Sequence, residues 1–138
     1  MGAFSNFQSA VFKTLRGSPV VAELVSTRIY DDVPHSAEAA APSFPFITIG
    51  DQAGAENGAD SMLAVEMEIT LHAWSRAAGR KECLDILSAM VKALHDVPML
   101  VTEGVVVYLN YASHSTSRDG DGETYHGQIV FTGFYQLT

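Results

Sequence analysis

The chain has 138 residues, 47% of them hydrophobic and 17% charged, with eight Lys plus Arg against sixteen Asp plus Glu and a net charge of −8. That length suits one domain, with enough apolar material for a core and too little charge for a disordered tail. A surface of this sign repels nucleic acid and anionic headgroups, which disfavours a sequence-reading DNA binder. The single Cys83 rules out an intrachain disulfide and a cysteine-based zinc site, and fits assembly in a reducing cytoplasm. Residues Met1 to Arg16 lack a secretory signal pattern, and no run approaches the roughly 18 apolar residues of a membrane helix. Neither export nor a membrane span is expected.

No repeat, Pro/Gly-rich linker or block of like charge divides the chain, so residues 1–138 are expected to fold as one domain. Phe4, Phe7, Val11, Phe12 and Leu15 recur at helical spacing, and Gly17 offers a stop. Ser18-Pro19 can cap and start a second, shorter helix carrying Val20, Val21, Leu24 and Val25 and ending near Thr27. Arg28-Ile29-Tyr30 reads as a short extended piece. Residues 31–45, with three prolines and an alanine run, read as a mobile loop.

Phe46 to Ile49 is β-rich and is expected to end at Gly50, before a second mobile loop over 51–61. From Met62 to Trp74 the chain alternates strictly. Leu63, Val65, Met67, Ile69, Leu71 and Ala73 share one face; Ala64, Glu66, Glu68, Thr70, His72 and Trp74 share the other. A strand with one apolar and one acidic face needs a helix over the apolar side. The segment Arg80 to His95 supplies it through Cys83, Ile86, Leu87, Met90, Val91 and Leu94, and Pro98 closes the element. Two further strands, Val105 to Ala112 and Tyr125 to Leu137, flank the Asp-Gly pairs of residues 118–122 and form a hairpin. The predicted architecture is a single-domain, two-layer α+β sandwich, with helices on one face of a mostly antiparallel sheet.

Catalytic signals are thin. The carboxylates of Asp119, Asp121 and Glu123 suit a solvated turn better than a calcium loop, because an EF-hand needs a bidentate Glu at its twelfth position and two flanking helices. Asp31, Asp32 and His35 could form a metal or acid/base site, although no second cluster supplies partners. None of the five histidines stands in a metalloprotease or deaminase pattern, and His114 and His126 become neighbours only in some hairpin registers. Trp74-Ser75-Arg76 stands out, because a Trp on the polar side of a clean alternation either packs over the sheet or meets a partner, and Arg can stack on it.

The order of short motifs carries more than any one of them. Arg28-Ile29-Tyr30-Asp31 precedes Val33-Pro34, then Pro45-Phe46-Ile47-Thr48-Ile49-Gly50, then Leu71-His72-Ala73-Trp74-Ser75-Arg76 with Gly79-Arg80 and Glu82. Ala93-Leu94, Arg118-Asp119, Asp121-Gly122, Thr124 and His126-Gly127 follow. In this order the chain resembles the tail terminator, or tail completion, proteins of long-tailed phages, prophages and gene transfer agents.

That resemblance implies a structural virion protein: a ring of six subunits, made in the bacterial cytoplasm, that caps the head-proximal end of the tail tube and stops its polymerisation. Its implied partners are other copies of itself, the major tail tube protein and the head–tail connector or stopper. DNA would pass through the lumen without sequence-specific binding. The family brings no catalytic residue, metal or cofactor. A ring needs two different patches that meet head to tail. They are expected at Trp74, Arg76 and Arg80 on one side and Asp31, Asp32, Glu66 and Glu68 on the other. Two other readings stand beside it: a ferredoxin-like ligand-binding or regulatory module with a pocket between helix and sheet, and a metal-dependent hydrolase using Asp31, Asp32 and His35.

Overall fold

The structure, a computed structural model, describes residues 2–31, 43–56, 63–101 and 105–137. Two helices open the chain, α1 (Ala3–Arg16) and α2 (Pro19–Val25), followed by strands β1 (Ile29–Tyr30), β2 (Phe46–Glu56) and β3 (Leu63–Ser75). Helix α3 (Lys81–Leu94) leads into β4 (Pro98–Val101), β5 (Val105–Arg118) and β6 (Tyr125–Leu137). The six strands form one sheet in the order β1-β2-β3-β6-β5-β4. Every neighbouring pair is antiparallel except β1 with β2. The expected α+β architecture, with one covered sheet face, is what the chain adopts.

Local chemistry explains the helices. Ser18 accepts a hydrogen bond from the Val21 amide at 3.4 Å, and Pro19 occupies the first turn of α2, where its missing N–H costs nothing. The apolar stripes of α1 and α3 bury Phe7, Val11 and Leu15, and Cys83, Ile86, Met90 and Leu94, against Ile47, Ile69, Leu71, Leu109, Ile129 and Phe131 from the sheet. The alternation of β3 is realised as read: Val65, Met67, Ile69, Leu71 and Ala73 are buried, while Glu66 and Glu68 are exposed. Gly127 sits where α3 lies closest to β6. A Cβ there would come within 2.7 Å of Cys83 Sγ and 3.1 Å of Leu87 Cδ1.

Three expectations need correction. Strand β2 does not stop at Gly50; it runs to Glu56, with an irregularity between Ile49 and Gln52, and pairs with β3 from Gln52 to Glu56. The expected loop over 51–61 is therefore strand in its first half, and residues 57–62 lie outside the described residues, as do 32–42 of the other loop. Composition misled here because a bulge absorbs the extra residue and thirteen residues of β3 supply a template whatever β2 contains. Strand β5 likewise continues beyond Ala112 to Arg118, held by β6. Pro98 does not end the helix but opens the unpredicted edge strand β4, a position where proline's missing donor is tolerated. Helix α3 ends before it, through His95 and an Asp96 with φ 55°.

Candidate assembly surface

The sheet face away from the helices carries Trp74, Glu66 and Glu68 of the candidate residues, together with His72 and His126. Register places Phe46, Trp74, His126 and Ser117 in one row across β2, β3, β6 and β5, and Thr48, His72, Gln128 and Ser115 in the next. The Trp74 indole N–H donates to Thr48 Oγ1 at 3.0 Å, and its ring lies parallel to His126, with centroids 3.9 Å apart. Phe46 and Phe44 extend the stack beyond it. Trp74 is thus half-buried in its own subunit. His72 Nδ1 and His126 Nε2 approach to 2.7 Å and share one hydrogen bond. Burial lowers the pKa of both rings. The facing His126 lowers His72 further, Asp51 partly offsets this, and Asp119 does the same for His126. The register is not one that sets His114 beside His126: His114 pairs with Ile129, on the helix side, and bonds Tyr111.

Arg76 continues the strand's end and is also engaged within the subunit. Its guanidinium stacks over Phe44 at 4.3 Å, its Nε donates to Thr124 Oγ1 at 3.1 Å, and Nη2 lies 3.8 Å from Asp121 Oδ2. The Thr124 hydroxyl donates a hydrogen bond to Asp121 Oδ2 at 2.6 Å, while the Glu123 and Thr124 amides donate to Oδ1. These donors, with Arg76 adding less, hold the Asp121 carboxyl down to about 2. The Asp-Gly turn is therefore closed by its own carboxylate. Arg80 precedes α3 and lies over Tyr125 at 5.2 Å; Arg118 approaches the same ring at 5.8 Å. Three arginines thus gather where β5 meets β6, beside the carboxylates of Asp119, Asp121 and Glu123.

The acids lie elsewhere. Glu66 and Glu68 are exposed on the open face toward the far end of β3, beside the exposed Asp51 and Glu56 of β2. Asp31 is exposed just after β1, while Asp32 and His35 lie outside the described residues. Six residues of extended chain, about 20 Å, separate Trp74 from Glu68. The two sets anticipated as complementary patches are thus not brought together in one subunit. Among the described residues no group of three His, Cys, Asp or Glu side chains could hold a metal ion, and no helix is long and apolar enough to cross a membrane.

Sequence reading missed one surface. Phe134, opposite Glu66, is 57% exposed; Tyr108, opposite Pro98, is 50% exposed, and Leu100 is 72% exposed. The signal was present in β6, whose alternation places Phe134 out of phase with the buried Phe131 and Tyr135. Aromatic side chains left in water on a sheet face mark a surface that meets another molecule.

The family model for tail completion protein gp17 matches residues 9–136. This chain belongs to that family. A tail completion protein is a structural component of a phage-type tail, and this one takes its place in a virion. Its fold is also similar to a chain in the virion of a native gene transfer agent particle, with a TM-score of 0.85 at 20% identity, covering 99% of this chain and 98% of that one. No curated protein sequence matches.

Proposed function

We propose that this tail completion protein closes into a ring of six copies at the head-proximal end of the tail tube, stops tube polymerisation there and offers its outer rim to the head connector. The family match over residues 9–136 carries the reading. The role is structural, with no catalysis and no cofactor. Two features support it. The sheet face leaves Phe134, Tyr108 and Leu100 in water, suited to a partner. Six times the subunit charge is −48, and a lumen of that sign lets DNA slide through without adhering.

Within such a ring the subunit contact joins the corner of Trp74, Arg76 and Arg80 to Asp31, Asp32, Glu66 and Glu68 of the next copy. Arg80 is the cation that reaches across, since Arg76 is held by Thr124 and Asp121 and Arg80 makes no ion pair with a described residue. Negative-stain imaging of the purified protein mixed with the adjacent tail tube protein tests the whole reading. Rings and tubes capped at one end are expected; uncapped tubes beside a folded monomer or dimer would overturn it.

A further inference from the structure

Each side of the sheet ends in a long strand that its short outer neighbour covers only in part. Strand β1 reaches β2 at Ile47 and Thr48 alone, so among the described residues the outer backbone edge of β2 from Gly50 to Glu56 has no partner. On the other side, β4 pairs with Val105 to Tyr108, and His95 and Asp96 bond Leu109 and Tyr111. Beyond them, from Ala112 to Arg118, the outer edge of β5 has no described partner either. An exposed row of amides and carbonyls is a template for another strand, which proteins normally blunt. Here two such edges of seven residues each stand on opposite sides of one sheet.

The geometry points to their joining: β2 of one copy pairs with β5 of the next, extending the sheet from subunit to subunit. The inference rests on the ring reading above and names the backbone that closes it. Charge favours the match, because the β2 edge carries Asp51 and Glu56 with Glu66 and Glu68 alongside, whereas Tyr111 to Arg118 contains no acid and ends in Arg118. Direction favours it too. Strands β2 and β5 run opposite ways in the sheet, so copies related by rotation about an axis near the strand direction meet antiparallel.

Register supplies the strongest argument. Ala53, the middle of the free β2 edge, is level with Glu68, Thr132 and Asn110; Ser115, the middle of the free β5 edge, is level with Gln128, His72 and Thr48. The two midpoints are thus offset by the four positions from His72 to Glu68 on β3, the extra residue on β2 and on β5 being taken up by their irregularities. At about 3.3 Å per residue and about 4.8 Å per strand, this stagger over four strands corresponds to a tilt of about 35°. Closed sheets tilt their strands by about 35–45°. Setting Ala53 opposite Ser115 also keeps the pleat in phase. Both side chains belong to the open face, and Gly54 and His114 both belong to the helix face. The short strands do not collide, since each stops where the other copy's edge begins.

Cysteine pairing tests this in the full-length protein, with rings or capped tubes imaged in the same samples. Ala53→Cys and Ser115→Cys are made separately, mixed and oxidised mildly; Cys83 is fully buried. The expected result is a disulfide dimer from the mixture, none from either variant alone, and a ladder of covalent oligomers from the double variant. Imaged rings without a link at 53–115, or at the in-phase pairs 51–117 and 55–113, would overturn the edge pairing and leave the ring standing. A disulfide dimer from Ala53→Cys alone would overturn it in favour of β2 meeting its own copy. If the unmodified protein forms neither rings nor caps, the ring reading falls and this inference with it.

Discussion

The His72–His126 contact is the most condition-dependent pair on the described surface. With ring nitrogens 2.7 Å apart and both rings partly buried, the folded state favours neutral imidazoles. Both folded pKa values lie below the ordinary 6.5, so the unfolded chain binds more protons in acid. The pair's contribution is complete above about pH 6.5 and is lost as pH falls through the folded values. Unfolding at pH 7.5 and at pH 5 should therefore show a drop in Tm for the native chain and a smaller one for His126→Gln; equal drops would remove the assignment. Trp74 shows how a single residue can carry two readings. From the sequence it was either local packing or interface, and the structure gives it an intramolecular hydrogen bond to Thr48 and a ring stacked on His126. That makes the Trp a prop for the open face, whose outer surface remains free to meet a neighbour.

Helix α3 holds the two layers together. Ile86 is fully buried at its centre, so Ile86→Ala should cost about 2–5 kcal/mol. Ile86→Asp, which adds a buried unpaired charge, should leave no folded domain of ordinary stability. Denaturant titration of the alanine variant checks the first, and the far- and near-ultraviolet circular dichroism of the aspartate variant the second. A shift under about 1 kcal/mol for Ile86→Ala would mean that α3 is not central to the core. Elements with strong periodicity, α1, α3 and β3, were legible because burial imposes its period on the sequence. The second half of β2 was not. Residues 50–56 read Gly-Asp-Gln-Ala-Gly-Ala-Glu, all with little intrinsic strand preference, and they are extended because β3 pairs with them. Strand β4 was hidden for a similar reason: four residues behind a proline form a strand only because β5 runs beside them.

At the scale of the whole molecule, charge and edges set what the protein can join. A net charge of −8 predicts that filter binding or mobility shift with duplex DNA finds no tight complex even at low salt; tight binding that weakens steeply with salt would count against a DNA conduit. Arg76, Arg80 and Arg118 lie near the β5–β6 turn beside the carboxylates of Asp119, Asp121 and Glu123, while Glu66, Glu68, Asp51 and Glu56 lie toward the other side of the sheet with no arginine or lysine on β2 or β3 among them. An acidic side of this kind favours head-to-tail contact over pairing like with like, because juxtaposing it with its own copy would bring equal charges together.

Composition, periodicity and motif order determined the class of this protein by themselves: an acidic α+β domain, the buried faces of its long elements, and its resemblance to tail completion proteins. These are legible because burial and turn chemistry act on neighbours in sequence. The tertiary structure alone decided the order of the strands, the pairing of His72 with His126, the capture of Arg76 by Asp121, and the two bare edges at β2 and β5. Each of these depends on how segments far apart in the chain are set against one another, and that is decided only when the sheet assembles and one face is buried.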